Sequence, residues 1–311
     1  MGKIHPMISG PSIRTGCVFQ LQKFKADGTI TYTGPEFSNL VLNTGLDSLI
    51  SSSPADFSYC NVGTGGGFEQ EWETGLTTWV TSSNNVINSE TYHGSGIGYD
   101  YPAFRSWRRV YEFGIGSISQ TISEIGMSIG SDGSYLNRHR IVDVRGIHIG
   151  LNVLHDEGLR VWVQTFVFAT HDIDQTEQGS FVFNSTDGPI DIGYTWRLLS
   201  GWLTSNDFIP GRVVSGDIRI VQEPTSTYNA GTAPSSISAP YTDGDFFRDV
   251  TAHWDAGVLS GEYWGLLVQH TGASFSRIDF DTPIVMDNEG VAMTLTVRRS
   301  WGRALQEGVW V

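Results

Sequence analysis

The stretch GCVFQLQKFKADGTITYTG, residues 16–34, decides the fold. Val18, Gln20 and Gln22 alternate with Phe19, Leu21 and Lys23. A period of two puts successive side chains on opposite faces of an extended chain. Asp27-Gly28 closes the run, because glycine reaches the positive φ that a tight hairpin turn needs. The segment reads as a β-hairpin.

Working outward, the same pattern recurs. RSWRRVYEFGIG (105–116), SISQTISEIGMSIG (117–130) and LNRHRIVDV (136–144) read as successive strands, with Ser131-Asp132-Gly133 as a turn. His155-Asp156-Glu157-Gly158 turns the chain into LRVWVQTFVFAT (159–170), a long strand with Val161, Val163, Thr165 and Val167 on one face. SFVFNSTDGPIDIGYTWRLLSGW (180–202), SRIDFDTPIVM (276–286) and GVAMTLTVRRSWGRAL (290–305) continue in the same style. DFFRDVTAHWDAGVLSGEYWGLLVQH (245–270) fits a strand or a short helix equally. SNLVLNTGLDSLISSS (38–53) differs: Leu42, Leu46, Leu49 and Ile50 recur at helical spacing, behind Ser38 or Asn39 as cap. One short helix is therefore expected near Leu40–Ser52.

Turn signals every 8–12 residues or so, without βα alternation, predict an all-β protein, a β-sandwich or jelly-roll with that one helix in the N-terminal third. The expected organisation is an N-terminal arm (1–12), a β-sandwich domain (13–170) and a second β region (171–311). The last strand, 291–302, belongs to the second region or returns to the first sandwich. PTSTYNAGTAPSSISAP (224–240), polar and proline-punctuated, reads as a surface loop or linker.

Composition narrows the function. Of 311 residues, 33 are Asp or Glu and 19 are Lys or Arg, a net charge of −14. That argues against nucleic acid as a partner, which is held by basic patches, and against an anionic membrane surface. Met1–Ser12 has one lysine and no apolar core, so it does not read as a secretory signal, and synthesis in a cytoplasm is expected. Cys17 and Cys60 are far apart and outside any CxxC, and read as buried free thiols.

Patterns that carry chemistry are sparse. GTGGG (63–67) follows a strand, but Phe68-Glu69 stands where a phosphate loop needs Lys-Ser/Thr, and Glu69 and Glu71 would repel phosphate. A close-packed or flexible turn is the simpler reading. His139 and His148 flank Asp143, and His155 sits in a turn, without metal-ligand spacing. His171-Asp172-Ile173-Asp174 and Asp243-Gly244-Asp245 lack an EF-hand frame and read as solvated loops. There is no GxSxG elbow. No catalytic residue, metal ligand or cofactor is expected. Arg108-Arg109 and Arg298-Arg299 are expected in ion pairs. Most of the ten tryptophans suit a core or subunit interface, and Trp254 and Trp264 are the candidates for contact with a glycan or partner.

NLVLNTGLDSL (39–49), YCNVGTG (59–65), RSWRRVYEFGIG with SEIGMS (123–128), DEGLRVWVQTFVFA (156–169) and FDTPIVMDNEGVAMTLTVRRSWGRA (280–304) follow one another in an order that resembles tailed-bacteriophage tail fibre or minor tail proteins. The resemblance covers about half the chain and leaves out 201–272. It implies a non-enzymatic structural protein of the virion, on the tail rather than the head: a fibre, baseplate or collar component presenting loops for attachment or host recognition. Implied partners are other virion proteins, copies of the same chain, with a trimer expected, and a host surface glycan. The rival readings are a capsid decoration or head-fibre protein, a glycan-binding module, and a tailspike-type depolymerase.

Overall fold

A computed structural model describes residues 6–9, 12–94, 104–131, 133–169, 176–185, 188–198, 218–222, 231–271, 274–286 and 291–304. The described chain is all-β. Its strands, in order, are β1 (Met7–Ser9), β2 (Ile13–Lys25), β3 (Ile30–Ser38), β4 (Leu40–Val41), β5 (Tyr59–Gly63), β6 (Trp79–Ser83) and β7 (Val86–Gly94). There follow β8 (Phe104–Phe113), β9 (Thr121–Ile122), β10 (Glu124–Ser128), β11 (Tyr135–Arg140), β12 (Leu151–Asn152), β13 (Glu157–Ala169) and β14 (Thr176–Ser185). The last are β15 (Gly188–Leu198), β16 (Ile218–Val221), β17 (Ser236–Ser238), β18 (Phe247–Trp254), β19 (Gly261–Thr271), β20 (Ser274–Met286) and β21 (Met293–Arg303). One helix, α1 (Asn43–Ser48), and one 3-10 turn (Pro54–Asp56) complete the described elements.

The chain divides into two compact units, one of Arg14–His93, Phe104–Phe168 and Gly302–Val311, the other of Met1–Ile13, Gly94–Ala103 and Ala169–Trp301. In the first unit one sheet runs β3-β2-β13-β8-β7 and the other β4-β11-β10-β5-β6, with the pair β12-β9 beside them. The hairpin read from residues 16–34 is the β2–β3 pair, with Gly28 at φ 84° in its turn. β13 pairs antiparallel with β8 over ten residues, Leu159 opposite Phe113 through Phe168 opposite Phe104. Val161, Val163, Thr165 and Val167 are buried, as their period of two requires. The two sheets close on one core as a sandwich. Tyr111 of β8 lies near both Cys17 of β2 and Cys60 of β5, and Phe37 of β3 stacks on His139 of β11 with ring centroids 5.2 Å apart.

The helix is shorter than the leucine spacing predicts. Leu40–Val41 is drawn into β4, paired with β11, so α1 begins only after Leu42, and neither Ser38 nor Asn39 caps it. Asn39 is used elsewhere: its Oδ1 accepts the Cys17 N–H at 3.0 Å. Leu42, Leu46 and Leu49 are buried as the spacing implies. Gly45 is buried against β11, and a Cβ there would lie 2.3 Å from the Leu136 carbonyl oxygen, so this close approach requires glycine.

The second unit is also a sandwich. One sheet runs β14-β15-β20-β19-β16; in the other β1 pairs parallel, and β18 antiparallel, with β21, and β17 adds to β18. Val250, Ala252 and Trp254 of β18, Leu295 and Val297 of β21 and Ile8 of β1 share a core with Trp196, Leu266, Ile278 and Phe280 of the facing sheet. The stretch 245–270, ambiguous in sequence, forms the strands β18 and β19. In the segment expected as a loop at 224–240, Ser236–Ser238 is a short strand, and residues 224–230 lie outside the described set. No helix among the described residues is long and apolar enough to cross a membrane.

Candidate functional site

Between β5 and β6 runs TGGGFEQEWETGLTT, residues 64–78, a segment too polar and glycine-rich to hold a shape through its own core. Its shape is imposed from beneath. Glu124 of β10 and Arg138 of β11 have side chains with no solvent exposure. Glu124 faces Arg140 across the β10–β11 ladder, so Arg138, two residues away, is its diagonal neighbour on the same face. The Arg138 Nε donates to Glu124 Oε2 at 2.9 Å. Glu124 Oε1 accepts the N–H of Gly65 and of Thr78, both at 2.8 Å, and Oε2 accepts the N–H of Thr77 at 3.0 Å. Arg138 also donates to the Gly67 carbonyl at 3.3 Å, to Thr77 Oγ1 at 2.6 Å and to the Glu73 carboxylate. A buried ion pair survives desolvation only when its remaining lone pairs and protons are satisfied. Here the loop backbone satisfies them, so both ends of the loop are fixed to the sheet.

This clamp explains the glycine run. A Cβ on Gly65 would lie 2.3 Å from Glu124 Oε1. The Gly65 N–H points at an internal carboxylate, the reverse of a phosphate cradle, whose amides point outward. The close-packed turn is the reading that fits these contacts.

The clamped loop displays aromatic side chains. Phe68 is 73 % exposed and Trp72 71 %, while Trp79, just beyond the loop, is 51 % exposed with its indole N–H donated to Asn61. Behind them Glu69 gathers two basic neighbours. It accepts the Arg140 backbone N–H at 2.6 Å, meets the Arg140 Nε at 3.2 Å and lies 3.4 Å from His139 Nδ1. The Arg140 guanidinium also covers the Phe68 ring, 4.2 Å from its centroid. Burial works against the charged form of Glu69, but the backbone N–H groups and the neighbouring His139 and Arg140 outweigh it, and its carboxyl stays below the usual range. Burial, helped by the positive charge of Arg140, holds His139 below the ordinary imidazole value despite Glu69.

Two open clefts flank this group and share His139 and Arg140. One, of about 510 Å³, lies between β3 and the turn after β11, with Glu36, Phe37, Asp143 and Val144 in its walls. The other, of about 550 Å³, is bounded by Leu40, Glu69, Glu71 and Trp72. Burial pushes the Glu36 carboxyl up, only partly offset by Arg108.

The residues singled out in the sequence lie elsewhere. Trp254 is a core residue with no exposure, and its indole N–H donates to the Thr232 carbonyl at 3.2 Å, so it offers no face to a sugar or partner. Trp264 is half-buried on β19. Asp243 and Asp245 are exposed, whereas 171–174 lie outside the described residues. Arg298 pairs with both carboxylate oxygens of Asp249 at 2.7 and 2.8 Å, and Arg109 donates to the Ala55 carbonyl at 2.8 Å. Cys17 and Cys60 are free, buried thiols. Among the described residues no group of three or more His, Cys, Asp and Glu side chains is placed to hold a metal ion. No family model, no curated protein and no solved structure matches the chain.

Sequence reading missed Glu124, Arg138, Phe68 and Trp72 as a set. The signal for the pair was a charged residue inside an otherwise apolar strand, Glu124 next to Ile125-Gly126-Met127. The signal for Trp72 was its place in EQEWETG (69–75), which has no alternation that could bury it.

Proposed function

We propose that the chain is a non-enzymatic structural and recognition protein of a tailed-bacteriophage virion, a tail component that assembles through its β-sandwich units and presents loops for attachment. The observation that carries this reading is the aromatic loop at 64–78, held rigidly by a buried ion pair and turned toward solvent. A loop that must contact a surface repeatedly gains from being ordered beforehand, because binding then costs less conformational entropy. The order of sequence stretches that resemble tail fibre and minor tail proteins supplies the biological setting, and strongly acidic, β-rich composition suits a protein assembled at high local concentration. Closed symmetric assembly is the default for such components, and a homotrimer is the expected state.

Immunogold electron microscopy of the source phage, with antibody against the purified chain, tests the reading. Gold at the tail end or collar is the expected result. Gold over the head moves the chain to the capsid decoration class, and unlabelled particles overturn the virion assignment. Light scattering on the purified protein tests the trimer, and a monomer at every concentration overturns it.

A further inference from the structure

We propose that the N-terminal arm is exchanged between copies: the slot beside β21, which β1 fills within one chain, is filled in the assembled protein by β1 of a neighbouring copy. The inference rests on the assembly role proposed above and deepens it by naming the element through which copies join.

The slot fits a strand that the local chain does not supply. β1 lies parallel to β21, with Met7 opposite Thr296, Ile8 opposite Val297 and Ser9 opposite Arg298. A parallel neighbour cannot arrive through a tight turn, and these partners come from opposite ends of the sequence. Ile8 has no solvent exposure and shares a core with Val250, Val297 and Trp196. The Pro6 carbonyl accepts the Thr296 N–H at 3.0 Å, and the Ser9 carbonyl accepts the Tyr194 hydroxyl at 3.2 Å. Emptying the slot would leave a cavity at Ile8 and bare backbone groups along β21, an edge that invites pairing. Every copy therefore needs one arm and has one arm, the balance that closed exchange requires.

Size and charge favour the arm of a neighbour. The anchor is three ladder positions and one buried side chain, so it opens more readily than the long strands of the sheet. From Ile13 to Pro6 an extended chain reaches about 23 Å, enough to cross a contact between subunits. At the high local concentration of an assembly, the neighbour's arm is as available as the chain's own. No Asp or Glu precedes Asp27, so the arm carries Lys3 and no carboxylate in a chain of net charge −14. Two such bodies repel each other. A cationic arm laid across their contact offsets part of that repulsion, whereas an arm kept on its own body leaves the contact unchanged.

The test is disulfide trapping in the full chain. Met7→Cys and Thr296→Cys are made as separate variants, co-expressed and oxidised. Neighbouring strands lie about 4.8 Å apart, within disulfide reach. Cys17 and Cys60 are buried and do not compete. A link between the two variants forms only where the arm of one copy lies on β21 of another. The expected result is a covalent dimer on a non-reducing gel. It should be absent from either variant alone and lost when Ile8→Asp is added to the arm variant. The double variant Met7→Cys/Thr296→Cys should give a ladder of joined chains. Each position takes one small substitution away from the core face of its strand, so near-UV circular dichroism should show every cysteine variant folded.

A double variant linked only within single chains, with no dimer in the mixture, overturns the inference, and so does the absence of any link. Association in light scattering with links only inside chains removes the exchange and leaves the assembly reading. Links between chains without gold on particles remove the virion reading and leave the exchange.

Discussion

At the scale of single residues, the carboxylate of Glu124 organises the loop. It takes four hydrogen bonds, three from loop amides and one from Arg138, and neither charged side chain reaches water. Removing Glu124 leaves the buried Arg138 with only the partly exposed Glu73 carboxylate as counter-charge and takes the acceptor from the Gly65, Thr77 and Thr78 amides. Glu124→Leu is therefore expected to cost about 3–5 kcal/mol in chemical denaturation. It should also raise hydrogen exchange at the Gly65, Thr77 and Thr78 amides. The double variant Glu124→Leu/Arg138→Met should recover much of the stability while those amides stay unprotected. Recovery of protection in the double variant would mean that the loop holds itself. Gly65→Ala tests the same point through space: its Cβ would meet Glu124 Oε1 at 2.3 Å, whereas the nearest atom to a Cβ on Gly66 is 3.6 Å away. The first substitution should cost about 1–3 kcal/mol and the second almost nothing.

At the scale of elements, Glu157 joins three strands. It opens β13, and its carboxylate receives Lys23 Nζ of β2 at 2.9 Å, Thr31 Oγ1 of β3 at 2.8 Å and the Leu154 N–H at 3.0 Å. The Lys23 bond first, then the Leu154 amide and Thr31, bring its pKa down to about 2. An unfolded glutamate titrates near about 4.3. The folded value is depressed, so the stabilisation is complete above the unfolded value and is lost as pH falls from about 4.3 through about 2. Melting temperature should fall across that window, and Glu157→Gln should flatten the fall by lowering stability at neutral pH. An unchanged slope in the variant would assign the acid sensitivity to other carboxylates.

The elements themselves were legible wherever one face is buried. In the 16–34 hairpin and in β13, alternation and burial coincide, because the period of a strand is fixed by its geometry. The helix was legible in its buried leucines but not in its start, since pairing of Leu40–Val41 with β11 is a long-range event that local spacing does not encode. The clamp was illegible for the same reason. Glu124 and Arg138 become neighbours only after a strand turn, and their loop partners come from 46 to 71 residues away.

Tryptophan burial shows how the whole molecule overrides residue type. Trp254 shares a strand face with Val250 and Ala252, and that alternation takes it into the core. Trp72 stands in an acidic loop and remains outside. Trp254→Ala should thus cost about 3–5 kcal/mol. Trp72→Ala should change stability by no more than about 0.5 kcal/mol. Equal effects in urea titrations would contradict the placement of one of them.

The thiols report on the first unit as a whole. Cys17 lies on β2 and Cys60 on β5, one in each sheet of that sandwich, and both are fully buried. Burial pushes the Cys17 thiol up to about 12, against weaker hydrogen bonds from Thr165, Asn137 and Asn39, and burial alone raises that of Cys60. The reactive species is the thiolate, so at pH 8 both the proton and the packing protect these sulfurs. Neither cysteine can meet a disulfide reagent until the two sheets separate. Native protein is expected to leave an aromatic disulfide reagent unreacted over hours, and protein in concentrated guanidinium to consume two equivalents at once. At intermediate denaturant both should label with one rate, which measures opening of the sandwich. Two distinct rates, or fast labelling of either thiol in the native protein, would show that the sheets part locally and that the core around Tyr111 does not open as a unit.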